Sequence, residues 1–489
     1  MNTLTRNAFH TTGRLIYRGR AAETAGWAIA AGFVLWLMAR SLAGAPVFCD
    51  SGYYLSVMRR MEEGARLYSD ITFGYTPLFP YLLLGIGKLI GTGARYDIWL
   101  CLHFAVLTGV AAWIYLLARD ATDAKRWGGL AAWLFLVSAF TAQADAVLPE
   151  APSVFCGLAA VWLASAPGPK AWRPLAAGAL CLASFGFKQY GLGFLPLCLW
   201  CTLTSGNGRW KSSALLAAGW MAAAALLYLT IPDTVSVIAS SYGSDGVAAE
   251  RYTRLGPLRY IPGACKVVFL RSFPVLLLAL WPAVYRTKER SRWMILCLAG
   301  IIGFCGQFYF SGGEHYFQYV YAFAALGAAL TGSWAVKAGG IERWGFAALT
   351  LAGLAWALIR PAQYTTYGVS KARQRVLAEA VCREVPAEAP FLVFNATHFG
   401  LYYLTDRRPP RIGGRYCYSY GPLVLTERLM LDKLAASGYI LKVRSTSGWE
   451  FRETEATQAV CAACDTIYQD KYTVLLRHGA ETGQPYEKK

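Results

Sequence analysis

Phe48-Cys49-Asp50-Ser51-Gly52-Tyr53-Tyr54, answered by Gly74-Tyr75-Thr76-Pro77-Leu78-Phe79-Pro80, is the stretch on which the reading of this chain turns. Asp50 sits where an apolar run at 24–44 ends. A short amphipathic segment follows, then a turn at Tyr68-Ser69-Asp70 and an aromatic, proline-rich return to apolar sequence at 77–91. That return is short and broken by Gly85, Gly87 and Lys88. About fifteen residues reach roughly 22 Å as a helix, less than the ~30 Å of a bilayer core. If 77–91 is re-entrant or interfacial, the loops at 119–126, 170–173, 209–211, 286–292 and 337–343 fall on one side. These are the basic loops, and the positive-inside rule makes that side cytoplasmic. Arg6, Arg14, Arg18 and Arg20 put the N-terminus there too, with no cleavage motif of a signal peptide after the first apolar run.

The totals agree with a polytopic membrane protein. Of 489 residues, 56% are hydrophobic and 16% charged, against roughly a quarter charged in soluble domains. The formal charge of +18 resides mostly in short loops between apolar runs, so membrane orientation and an anionic lipid explain it better than nucleic acid. Eleven spans are expected, at 24–44, 98–118, 127–143, 151–165, 174–187, 191–204, 213–231, 264–284, 293–311, 316–334 and 345–360. The fold class is therefore mostly α: a membrane helical bundle over 1–360, with a small external α/β domain over 361–489. In the latter, strand-like runs at 391–395, 439–443 and 472–477 alternate with helical patterns at 370–383 and 425–436. Its cysteines, Cys382, Cys417, Cys461 and Cys464, leave open one or two disulfides, free thiols, or a metal.

The unusual polar residues gather in the turns of one face. Asp50 is either a base or a solvated or helix-capping carboxylate. Asp145 and Glu150 bracket a short turn, and Glu150 opens a helix, where a carboxylate meets the favourable end of the dipole. Lys188, in Phe185-Gly186-Phe187-Lys188-Gln189-Tyr190, joins two apolar runs with almost no loop, so it must snorkel, pair or bind an anion. Glu314-His315-Tyr316 forms a similar turn, and His103 within a span reads as a packed polar residue. The loop at 232–262 carries Arg251 and Arg254 among tyrosines, a combination suited to a phosphate or a sugar face. Tyr53 and Tyr75 add aromatic surface near Asp50. No Walker A, HExxH, GxSxG or GxGxxG pattern occurs in a suitable context. The outer acids are too few and scattered to argue a metal site, and no cofactor is implied.

Taken in order, YYLSVMRRMEEGARLYSDITFGYTPLFPYLLLGIGKLIG (53–91), AVLPEAPSVFCGLAAVWLA (146–164), FGFKQYGLGFLPL (185–197), GGEHYFQYVYAFAALGA (312–328) and APFLVFNATHFGLYYLTDRRPP (389–410) resemble the polytopic GT-C glycosyltransferases. The likeness is to the bacterial branch similar to protein O-mannosyltransferases and the lipid A aminoarabinose transferase. It implies inverting transfer of a sugar from a polyprenyl-phosphate donor to a lipid, glycan or protein acceptor, on the periplasmic face of a bacterial inner membrane. Carried over by position, Asp50 is the general base, Glu150 a second acid with Asp145 its substitute, and Lys188 a cation near the donor phosphate. His315 and Glu314 occupy a turn near the donor. Tyr75-Thr76-Pro77 stands where many relatives have Glu-Lys-Pro, which leaves Lys188, Arg251 and Arg254 to compensate. A transporter or lipid flippase, and a ligase moving whole lipid-linked glycans, are the competing readings. The polar residues cluster at one face and no paired halves are visible, which disfavours the transporter.

Overall fold

The computed structural model describes residues 3–166, 170–204, 208–235, 279, 291–311, 314–338, 340–359, 370–394, 399–418, 427–443 and 454–478. Side chains are described from Thr24 onward, except at 291, 307–311, 314, 338, 354 and 356–359. The span at 264–284 apart from Ala279, the loop with Arg251 and Arg254, and most of the basic loop at 286–292 lie outside the described residues.

Twelve of the described helices come first: α1 Thr3–Gly44, α2 Cys49–Glu62, α3 Leu78–Ile90, α4 Tyr96–Thr122, α5 Lys125–Phe140, α6 Glu150–Ser165, α7 Trp172–Phe187, α8 Phe194–Leu203, α9 Arg209–Thr230, α10 Ser291–Ser311, α11 Phe317–Ala338 and α12 Gly340–Ile359. Ten expected spans coincide with a helix. Among the described residues, four stretches are by themselves long and apolar enough to cross a membrane: Thr24–Gly44, Tyr96–Thr122, Arg209–Thr230 and Phe317–Lys337. The last is mostly buried within the protein, whereas the α9 stretch presents most of its apolar surface outward, as suits a central and a lipid-facing helix. At 13 residues, α3 is about 20 Å long and too short to span. It buries Phe79, Leu83 and Gly87 and exposes Tyr81, Leu89 and Ile90, a helix with an apolar face left for an interface.

Small residues let the helices approach. A Cβ on Gly178 of α7 would strike the Leu216 carbonyl of α9, and one on Gly219 would strike the Leu175 carbonyl. Such reciprocal contact suits lipid, where packing rather than hydrophobic exclusion drives association.

The remaining elements are α13 Lys371–Glu384, β1 Phe391–Phe394, α14 Gly400–Thr405, β2 Arg411–Ile412, β3 Arg415–Tyr416, α15 Glu427–Ala435, β4 Tyr439–Val443, α16 Glu455–Ala462, β5 Asp465–Gln469 and β6 Thr473–Arg477. A four-stranded sheet runs β1-β4-β6-β5, parallel between β1 and β4 and antiparallel elsewhere. Alternate residues serve opposite faces. Leu392, Phe394, Ile440, Val474 and Leu476 meet Met430 and Leu434 of α15 and Cys461 of α16. Phe391, Val393, Leu441 and Leu475 belong to the main core, which continues through α2 into the helical bundle.

For that reason α2 is not the amphipathic surface segment its sequence suggests. From Ser51 to Met61 only Arg59 escapes full burial. A Cβ on Gly52 would collide with the backbone of Gly400 in α14. Arg60, 2% exposed, pairs with Asp406 and reaches Glu63 at 2.8 Å. Arg59 donates to the Tyr403 carbonyl at 2.6 Å and lies 4.3 Å from that ring's centre. This arginine pair latches α14 onto α2. No disulfide joins Cys382, Cys417, Cys461 and Cys464. Cys417 faces the Thr72 hydroxyl at 3.2 Å, Cys382 is exposed, and Cys464 donates to the Val460 carbonyl at 3.3 Å.

Candidate active site

At one end of the bundle four connections meet: the entry to α2, the α5–α6 turn, the α7–α8 turn and the α10–α11 turn. Asp50 lies in the first turn of α2. It is not the N-cap, a position held by Phe48 without a side-chain cap, so its carboxylate is left for other work. The peptide just before it is held on both edges. Gln374 of α13 accepts from the Val47 N–H at 2.8 Å and donates to the Val47 carbonyl at 2.9 Å. Lys371 donates to the Leu42 carbonyl near the end of α1 at 2.9 Å and pairs with Asp97 at 3.2 Å. Asp50 is half-buried and accepts from the Cys49 thiol at 3.6 Å. Burial first, and then the adjacent carboxylate, push that thiol well above its ordinary range.

Tyr96, which opens α4, joins this region to the α5–α6 turn. Its hydroxyl donates to Ser51 at 3.2 Å and accepts from the Val147 N–H at 3.4 Å. Phe48 packs on Ala146 and Leu148 of the same turn. Asp145 acts electrostatically on Tyr96. Burial pushes the Asp145 carboxyl up to about 7, with only its own backbone N–H opposing, so near neutral pH it can both hold and release a proton.

Glu150 opens α6 and is completely buried. Lys188 Nζ lies 3.3 Å from its Oε1, and His315 Nε2 lies 3.7 Å from the same oxygen. Two serines place the pair. Ser153, one turn into α6, donates to the Ser184 carbonyl at 2.8 Å, and Ser184, one turn before Lys188, donates to the Ser153 carbonyl at 2.7 Å. Lys188 follows the last residue of α7 in extended conformation, which turns its side chain across the end of α6. Its ammonium also sits 4.7 Å from the Tyr75 ring centre and 5.3 Å from that of Tyr316, within cation–π range. Tyr75 is the residue found where the resemblance expects a carboxylate, and the cation approaches its face instead. Neither Glu150 oxygen has a well-aligned hydrogen bond. The ion pair is thus one of proximity, and the carboxylate retains accepting capacity.

Around it lies a polar shell. His315 Nδ1 is 3.2 Å from Gln143 Oε1. Tyr319 of α11 and His103 of α4 both act electrostatically on Glu150, yet neither the Tyr319 hydroxyl nor His103 Nε2 has a well-aligned hydrogen bond. Gln318 is fully buried with both amide atoms unsatisfied. Buried unpartnered polar groups each cost about 1–3 kcal/mol, so this concentration marks a region arranged for something other than stability.

The structure therefore brings Glu150, Lys188, His315 and Tyr75 into direct contact. Asp145 and Asp50 are not part of that cluster; Tyr96 bridges the start of α2 and the α5–α6 turn, and the Tyr54 ring of α2 lies 6.0 Å from that of Tyr75. Tyr53 is 2% exposed and lies among Tyr54, Phe73, Tyr75, Phe399 and Tyr418. It supports the site rather than lining it. Glu314 belongs to a short 3-10 turn, and its side chain, like Arg251 and Arg254, lies outside the described residues. Sequence reading missed Gln143, Gln318 and Tyr319. The last two had a legible signal, since polar groups three and four residues after His315 share its helical face.

In its fold this chain is similar to three solved structures. Apo ArnT from Cupriavidus metallidurans superposes with a TM-score of 0.63 at 14% identity, covering 95% of this chain and 100% of its own. ArnT from the same organism bound to undecaprenyl phosphate gives 0.59 at 15% identity, covering 94% and 99%. The apo Archaeoglobus fulgidus oligosaccharyltransferase gives 0.56 at 14% identity, covering 85% and 69%. No protein-family model matches the sequence, and no curated protein matches it.

Proposed function

We propose that this protein is an inverting glycosyltransferase that moves a sugar from a polyprenyl-phosphate donor to an acceptor at the outer face of a membrane. The observation that carries the reading is the buried Lys188–Glu150–His315 cluster at one end of a GT-C bundle. Transfer of this kind breaks a bond between the anomeric carbon and a phosphate oxygen. The departing phosphate gains charge, and preorganised cations stabilise it more in the transition state than before. Lys188 and His315 supply them. Glu150 acts as the counter-ion that keeps Lys188 charged and aimed while the site is empty. The acceptor hydroxyl needs a base. Asp50, half-buried and first in α2, takes that part, and Asp145 holds the proton afterwards.

ArnT bound to undecaprenyl phosphate supports a lipid-phosphate donor here. The likeness to an oligosaccharyltransferase favours, as second reading, transfer of a whole lipid-linked glycan. The basic loops support an arrangement with the N-terminus and those loops cytoplasmic and residues 361–489 as a periplasmic α/β domain in a bacterial inner membrane. Mass spectrometry of the lipid that co-purifies tests the donor class. A polyprenyl phosphate is expected. Its absence, together with no consumption of polyprenyl-phosphate sugars by the purified protein, overturns the proposal, and liposome transport or scrambling would replace it. Supplying single-sugar and polymer donors in parallel separates the two transfer readings.

A further inference from the structure

Gln143 has no role in the reaction as described, yet its conformation is unusual. In the α5–α6 connection its φ is +58°, a left-handed conformation that side chains other than those of Gly and Asn rarely adopt and that costs about 1–2 kcal/mol. The turn is held around it. The Ala144 N–H donates to the Ala139 carbonyl at 3.2 Å, the Ala146 N–H donates to the Gln143 carbonyl at 3.2 Å, and the Thr141 hydroxyl donates to the Ser138 carbonyl at 2.6 Å while meeting the Tyr321 hydroxyl at 3.3 Å. This geometry carries the Gln143 side chain to the His315 ring. Its Oε1 lies 3.2 Å from Nδ1, while Nε2 on the opposite edge faces Glu150 at 3.7 Å.

We propose that Gln143 is the positioning residue of this cluster: its amide oxygen accepts the Nδ1–H of the cationic His315 ring, fixes the plane of that ring, and aims the Nε2–H edge at Glu150 and the donor phosphate. Which way one edge of an imidazole works is set by the hydrogen bond made by the other nitrogen. Without this partner the ring can turn, or give up its Nδ1 proton and with it the charge that meets the phosphate. Among the described residues the groups facing the ring are few. Glu150 comes from α6, and Lys188, beyond α7, shares its oxygen. Tyr316 lies 4.2 Å from the ring centre and is itself packed by Tyr190 at 4.5 Å. Tyr319 and His103 act on the carboxylate. Among these, Gln143 alone is hydrogen-bonded to Nδ1.

The inference rests on the proposed transfer for its catalytic meaning but not for its test. The chain has five histidines, so selective 15N-histidine labelling gives a short spectrum, and His315→Gln assigns the signal. In the unaltered protein His315 shows an Nδ1–H signal beside that of Nε2–H. Gln143→Leu, which removes the acceptor, and Gln143→Gly, which also relaxes the backbone, lose the Nδ1–H signal and leave the neutral Nε2–H form. Gln143→Glu keeps an oxygen at Nδ1 and restores the Nδ1–H signal. Where transfer is measurable, the Leu and Gly variants lose on the order of 10-fold in kcat with little change in donor KM, and the Glu variant recovers part. An Nδ1–H signal that persists in Gln143→Gly, or full turnover in that variant, overturns the proposal. A missing lipid donor would instead overturn the transfer reading and leave the Nδ1–H result standing.

Discussion

Replacing Glu150 with Gln separates charge from shape at the centre of the site. Glu150 has no exposed side-chain surface, and the Lys188 side chain keeps 4%. In the Glu150→Gln variant the amide still fills the space and accepts hydrogen bonds, but the ammonium loses its counter-charge in a nearly dry setting. Breaking one half of a buried pair costs about 3–5 kcal/mol, whereas replacing both halves with neutral groups of similar volume is often neutral or better. The Tyr75 and Tyr316 faces, 4.7 and 5.3 Å from Nζ, return about 1–2 kcal/mol of that. A net loss of about 1–4 kcal/mol is therefore expected for Glu150→Gln. Glu150→Gln/Lys188→Met, with no charge left to bury, should recover most of it. Thermal and denaturant unfolding of all four proteins in one detergent gives the coupling by a double-mutant cycle. The double variant should be stable and inactive, because the phosphate cation has gone. A double variant no more stable than Glu150→Gln would refute the argument, since the loss would then come from packing.

Asp50→Asn should lower transfer by about 10²–10⁴-fold with unchanged melting, and normal turnover in that variant would remove Asp50 from the chemistry. Asp145 binds its proton more tightly folded than unfolded, since burial lifts it to about 7 from the ordinary carboxylate range. Between about pH 4 and pH 7 stability should therefore fall as pH rises, by at most roughly 4 kcal/mol, and Asp145→Asn should flatten that slope in melts taken across the range. Gly52→Ala forces a Cβ into the Gly400 backbone, where overpacking costs about 1–3 kcal/mol. An unchanged melting temperature would show that α14 does not rest on α2 this closely.

How far the sequence could be read depended on what each residue had to avoid. The spans follow from apolar runs that water would not tolerate, and the helix at 370–383 and the strand at 439–443 could be read from periodicity and alternation. Glu150, Lys188 and His315 stood out because charge in near-loopless turns needs a partner, though nothing in the chain said that the three would share one carboxylate oxygen. Strand β5, Asp465–Gln469, went unseen because it is largely exposed and its alternation is weak. The burial of α2 was illegible because its two coverings, the bundle and the α14 side of the C-terminal sheet, are hundreds of residues apart in sequence. Arg60 looked like a surface cation until Asp406 was placed beside it. Gln143 gave no sign, since a left-handed glutamine is specified by its surroundings and not by its neighbours in the chain.

The joint between Gly52 and Gly400 governs the order of assembly. The helix bearing Asp50 emerges early from the ribosome, but the surface it must rest on is synthesised some 350 residues later. Until then α2 has one bare flank, Arg60 lacks Asp406, and the Val47 peptide lacks Gln374. The catalytic end should therefore form only once α14 and Asp406 have been made. A product truncated before α14 would leave a half-dressed helix at the membrane surface, a natural target for a quality-control protease.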